Sequence, residues 1–129
     1  MVFGLALCGC SGGPVGLPKF EADLDITAEW PKAREDGFFP GQWKFYQYED
    51  AVMHSGLVGP DGFFHVSGHV VCEGFIPYAW LEVTGRYVES DTRCHSRVQV
   101  LCENEPQTVT LPDGRLSDYP HDLCEPPDS

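Results

Sequence analysis

Phe20–Trp30 reads FEADLDITAEW, and its reading decides the fold. Phe20, Ala22, Leu24, Ile26, Ala28 and Trp30 alternate with Glu21, Asp23, Asp25, Thr27 and Glu29. A period of two is the period of a strand, with one face buried and the other wet and acidic. Pro31 ends the strand, and residues 31–42, which hold Pro, Gly and charges, are expected to loop. Trp43–Tyr48 (WKFYQY) is rich in strand formers, and Ala51–Val58 follows as the next strand.

Gly59-Pro60-Asp61-Gly62 is a turn, because Pro60 presets φ at the second position and Gly62 suits the fourth position of a type I turn. The returning strand, Phe63–Val71, places Phe64, Val66, Gly68 and Val70 on one face and His65, Ser67 and His69 on the other. Residues 72–78 are a loop. Ala79–Val88 turns Leu81, Val83, Gly85 and Tyr87 to one side and Trp80, Glu82, Thr84 and Arg86 to the other. Cys94–Cys102 carries Val98 and Val100 inward, and Gln107–Leu111 closes the series. Residues 112–129 hold four prolines and five acids and read as an exposed tail. About seven short strands with regular turn signals and no helical repeat predict an all-β sandwich. The expected organisation is a tether at 1–19, a β-sandwich domain at 20–111 and the acidic tail at 112–129.

The 129 residues amount to one domain, and 42% hydrophobic residues suffice for a core. Eight Lys+Arg stand against 20 Asp+Glu, for a net charge of −12. A field of that sign repels phosphate backbones and anionic lipid heads, which excludes nucleic acid as a partner.

Met1–Leu7 (MVFGLAL) is apolar and is followed by Leu7-Cys8-Gly9-Cys10 and the Gly/Pro-rich SGGPVGLPK. This resembles the end of a bacterial lipoprotein signal peptide, and the resemblance implies lipidation of Cys10. A start codon further upstream would account for the missing basic region. Seven apolar residues do not span a bilayer, which takes ~20. The alternative is an apolar tail with two incidental cysteines. With Cys8 removed and Cys10 acylated, Cys72, Cys94, Cys102 and Cys124 remain. That even number fits two disulfides in an oxidising compartment, and the alternative is buried thiols.

The runs HSGLVGPDGFFHVSG, AWLEVTGRY and QTVTL resemble the transthyretin-like and carboxypeptidase-regulatory-like sandwich domains. Asp61-Gly62-Phe63 matches their turn, Leu81, Val83, Gly85 and Tyr87 a later strand, and Val109–Leu111 the closing one. The resemblance covers residues 43–111 and implies a seven-stranded, prealbumin-like Greek-key β-sandwich of the accessory or binding kind. The strand order then selects a pairing. Cys94 and Cys102 bracket one strand and stand ~26 Å apart, whereas a disulfide needs Cα atoms within ~7 Å. With strands running alternately up and down, Cys72 and Cys102 finish at one pole, which favours Cys72–Cys102 and Cys94–Cys124.

Five histidines occur, His54, His65, His69, His95 and His121. His65 and His69 share a face but sit ~13 Å apart along their strand, too far for one zinc ion, although His95 from a neighbouring strand could join one of them. Glu21, Asp23 and Asp25 form an acidic stripe, and Asp118, Asp122, Glu125 and Asp128 crowd the tail, without the loop of an EF-hand. No Gly-x-Ser-x-Gly or His-Glu-x-x-His occurs. With Trp43 and Phe45 inward, Tyr46, Tyr48 and Trp80 are expected outward, as aromatics that stack on sugar rings or anchor a protein. The alternative for Trp80 is cover by the 31–42 loop.

The sequence is therefore expected to encode a non-enzymatic, lipid-anchored protein of the bacterial cell envelope, with a protein or polysaccharide partner. No cofactor and no metal are expected, and the membrane is met only through the lipid on Cys10. One alternative is a small secreted hydrolase or metal-binding protein using His65, Ser67, His69 and His95. Another is a secreted extracellular transthyretin-like protein.

Overall fold

The computed structural model describes residues 16–112 and 122–127. Cys10, His121, Asp118 and Asp128 lie outside the described residues. Eight strands follow one another: β1 (Lys19–Glu29), β2 (Phe38–Tyr46), β3 (Val52–Leu57), β4 (Phe63–Glu73), β5 (Tyr78–Tyr87), β6 (Arg93–Leu101), β7 (Gln107–Thr110) and β8 (Leu123–Glu125). Between β1 and β2 lies a single 3-10 turn, Pro31–Arg34, and no α-helix occurs among the described residues.

The strands form two sheets, β4-β1-β7 and β3-β2-β5-β6-β8. Every neighbouring pair is antiparallel except β1 with β7, which run parallel. The alternation in β1 does what its period requires. Ala22, Leu24, Ile26 and Ala28 are buried, and Glu21, Asp23, Asp25 and Thr27 are exposed. Both sheets turn their apolar residues to one shared core, in which Trp43 of β2 stacks on Phe64 of β4 at 5.9 Å between ring centroids. At the two sheets' edges, His54 Nε2 of β3 meets the His69 carbonyl of β4 at 3.0 Å.

Two disulfides tie the strands at opposite poles, and no described cysteine is free. Cys72, in β4, is bonded to Cys102, just beyond β6, so this link crosses from one sheet to the other through the core. Cys94 and Cys124 are register partners on β6 and β8, so the second link lies within the five-stranded sheet. The pole with Cys72–Cys102 also holds the start of β1 and the β4–β5 loop. The other pole holds the 3-10 turn, the β5–β6 turn and the end of the described chain.

Three differences from the sequence reading have physical causes. The expected loop at 31–42 is shorter, because Phe38 and Phe39 pair with Tyr87 and Arg86 and begin β2 early. A bulge between Pro40 and Trp43 absorbs one extra residue against Gly85–Val83. The count among the described residues is eight strands, because the tail contributes β8, whose three residues continue the five-stranded sheet beside β6. The Gly59–Gly62 turn closes with the Gly62 N–H donating to the Gly59 carbonyl at 2.8 Å. There Gly62 has φ +88°, and an added Cβ would stand 2.4 Å from the Trp30 carbonyl, so a side chain is barred twice over.

Candidate functional site

The outer face of the five-stranded sheet carries the site. On β5 the outward residues are Trp80, Glu82, Thr84 and Arg86, and on β6 they are Arg93, His95, Arg97 and Gln99. Cross-strand register places Glu82 beside Arg97, Thr84 beside His95 and Arg86 beside Arg93, with Lys44 of β2 next to Glu82. Lys44, Arg86, Arg93 and Arg97 are four of the chain's eight basic residues, so this face collects cations in a chain of net charge −12.

At one end of the face lies a pocket of about 480 Å³ with a mostly apolar lining. Phe39 stands on one wall and Glu125 on the other, with Arg86, Arg93 and His95 between them. Its floor is partly bare backbone, at Gly41 and Gly85. Gly85 faces the core, where an added Cβ would meet the Phe38 ring at 2.6 Å, and Gly41 lies on the bulge with its Cβ position 2.9 Å from the Thr84 carbonyl. Arginines directly opposite one another repel. Arg86 is offset by Asp91 at 3.5 Å, whereas among the described residues no carboxylate lies within ion-pairing distance of Arg93. Smaller clefts continue from this pocket through His95, Arg97, Glu82 and Glu49 to Lys44 and Tyr46.

The three expected surface aromatics fare differently. Tyr46 is buried, contrary to expectation, although it keeps the outward strand phase. Its hydroxyl donates to Glu82, and burial first, then that bond, pushes its pKa up to about 12, with Arg97 opposing. Trp80 is half-buried, covered by the Arg97 guanidinium at 3.9 Å from the ring centroid; residues 31–42 lie at the other pole. Tyr48 is exposed and donates a hydrogen bond to Glu73 at 3.2 Å. Sequence reasoning missed Phe39, Arg86 and Arg93, and the signal was the Phe-Phe-Pro-Gly run opposite Gly85.

The histidines do not form one face. His65 and His69 lie outward on β4 in the three-stranded sheet, and His95 lies on the outer face of the other sheet. His65 Nε2 meets Asp25 at 2.6 Å. His69 meets Asp23 through Nδ1 at 3.1 Å and Glu21 through Nε2 at 3.0 Å. Both nitrogens donate only in the imidazolium form, and the bond to Asp23 foremost, with that to Glu21, raises the His69 pKa above 6.5. These contacts lace β1 to β4 across the acidic stripe. Among the described residues no three His, Cys, Asp or Glu side chains converge as a metal site.

No described helix is long and apolar enough to cross a membrane, and the two disulfides point to an oxidising, extracytoplasmic compartment. No family model matches the chain, and neither a curated protein nor a solved structure is similar to it.

Proposed function

We propose that the chain is a non-enzymatic cell-envelope lipoprotein, acylated at Cys10, whose head is a transthyretin-like Greek-key β-sandwich that binds an acidic polysaccharide. In this reading β1–β7 are the seven sandwich strands and β8 is an added edge. The core shared by two sheets and the disulfide between them support the sandwich.

The carrying observation is the pocket of Phe39, Arg86, Arg93 and His95. An exposed aromatic ring offers a stacking surface for the C–H face of a sugar. The Arg93 guanidinium, which has no carboxylate partner among the described residues, offers a planar fork for a carboxylate. The partly bare backbone floor leaves room for a pyranose ring. Net negative charge elsewhere keeps an acidic polymer off the rest of the head, so charge directs it to this face.

Calorimetric titration with an oligogalacturonide and with a neutral oligosaccharide of equal length tests the reading. The acidic oligomer is expected to bind and the neutral one to bind more weakly. Arg93→Gln should weaken the acidic oligomer about tenfold, or about 1.4 kcal/mol, and Phe39→Ala should weaken both oligomers. Equal binding of the two oligomers, or binding indifferent to Arg93→Gln, refutes the reading. Intact mass of the membrane fraction separates an acylated protein from a secreted transthyretin-like one.

A further inference from the structure

At the pole opposite the pocket, the β4–β5 loop projects two large apolar side chains. Phe75 is 83% exposed and Ile76 62%. Leu17, Val71 and Tyr78 on the adjoining segments are also exposed. The loop is held firmly. The Gly74 N–H donates to the Pro18 carbonyl at 2.9 Å, the Tyr78 N–H to the Ile76 carbonyl at 2.8 Å, and the Cys102 N–H to the Pro77 carbonyl at 2.9 Å. The buried Cys72–Cys102 disulfide fixes the end of β4, just before the loop. Phe75 and Ile76 are therefore fixed outward.

We propose that Phe75 and Ile76 insert into the surface of a lipid bilayer and stand the head upright, with the Arg86/Arg93/His95 pocket facing away. The position of the chain argues for this occupant. Gly16–Pro18 lie beside the loop, and Cys10 is six residues from Gly16, a reach of at most ~20 Å. An acyl chain on Cys10 thus brings a membrane to this pole. A bilayer accepts a two-residue tip without shape matching, whereas a stable protein interface buries roughly 1,200–2,000 Å². The turns at this pole carry Glu49, Asp50, Glu103 and Glu105, so the favoured surface is zwitterionic rather than anionic. From Tyr78 to Gly85 the strand rises ~23 Å, which holds the pocket clear of the headgroups. The upright orientation rests on acylation of Cys10, and the insertion is separable from it.

The test uses full-length protein with Phe75→Trp and zwitterionic vesicles whose acyl chains are brominated. Trp30 and Trp43 are buried in the core and Trp80 lies under Arg97, so wild-type emission serves as the background. The Phe75→Trp emission should shift to the blue and be quenched by the brominated lipid, while wild-type emission stays unchanged. Adding Ile76→Ser should remove most of the quenching, and an anionic vesicle should give less of it. A Cys10→Ser form should still be quenched, at vesicle concentrations at least tenfold higher. Intact mass reports acylation independently. Quenching without acylation leaves the insertion standing and removes the anchor. Acylated Phe75→Trp protein whose added emission stays unquenched overturns the insertion. So does the same vesicle binding by a Phe75→Ser/Ile76→Ser form of the Cys10→Ser protein, or a tip found buried against a protein partner in membranes.

Discussion

The two disulfides have the same sequence separation, 30 residues, yet their removal should have very different costs. A cross-link restricts the unfolded chain according to loop length, which for ~30 residues amounts to ~3.6 kcal/mol in either case. What differs is the response of the folded protein. Cys72 and Cys102 join the two sheets and are buried. Neither strand leaves without breaching the core, so a Cys72→Ala/Cys102→Ala protein suffers the full loss. Two missing core sulfurs add ~1–2 kcal/mol as unfilled space. The expected total, ~5 kcal/mol, is comparable to the whole stability of many domains. Cys94–Cys124 instead pins a three-residue edge strand whose flanking residues, Leu123 and Glu125, are not buried. Once unlinked, β8 frays, and the freedom its tail regains in the folded protein offsets most of that effect, leaving a loss of ~1–2 kcal/mol. Urea unfolding of the two double variants measures both losses, and hydrogen exchange reads β8 directly. The first variant should lose ~3 kcal/mol more than the second, and only the second should keep a protected core with unprotected amides at 123–125. Equal losses, or protection retained at 123–125 without the bond, would refute this reasoning.

The remaining predictions concern single side chains. His69 bridges Asp23 and Glu21 only as an imidazolium, and its folded pKa lies above 6.5. Its contribution is therefore fully present below that value and is lost as pH rises through the raised one. Amide exchange at Ser67–Val71, corrected for intrinsic rates, should speed up as pH rises from 6.5 through the raised pKa of His69, and His69→Gln should abolish that dependence. An unchanged pH profile in the variant would count against the clamp. Ser96 Oγ is buried on the inner face of β6 with no partner among the described residues. Ser96→Ala should raise stability by about 1 kcal/mol, seen as a higher urea midpoint at constant slope; a fall of that size would mean the hydroxyl has a partner.

Strand content was legible because a period of two survives any tertiary context, and β1 shows it from Ala22 to Ala28, whereas Phe20, expected on the buried face, is exposed at the pole where the core ends. The disulfide partners could be chosen because an extended strand has a fixed rise per residue, so Cys94 and Cys102 had to be far apart, and because strands running alternately up and down put Cys102 at the pole of Cys72. Burial of Tyr46 could not be read, because strand phase says which way a side chain points but not which neighbours close over it; Glu82 and Arg97 come from strands 36 and 51 residues away. Nor could β8, since three residues among prolines and acids carry no periodicity of their own. The pocket was hidden for a related reason. Its walls come from four strands that are brought together only by the fold.

The antiparallel register of β1 with β4, eleven residues long, has a mechanical consequence, as does its parallel pairing with β7. A pull between the N-terminal end of β1 and a polymer held at the far pocket would run along the strand axis. The rungs on both sides of β1 would then be loaded in shear, all at once, instead of being unzipped one after another. Under the proposed anchoring, such tension would fall on a ladder of eleven residue pairs.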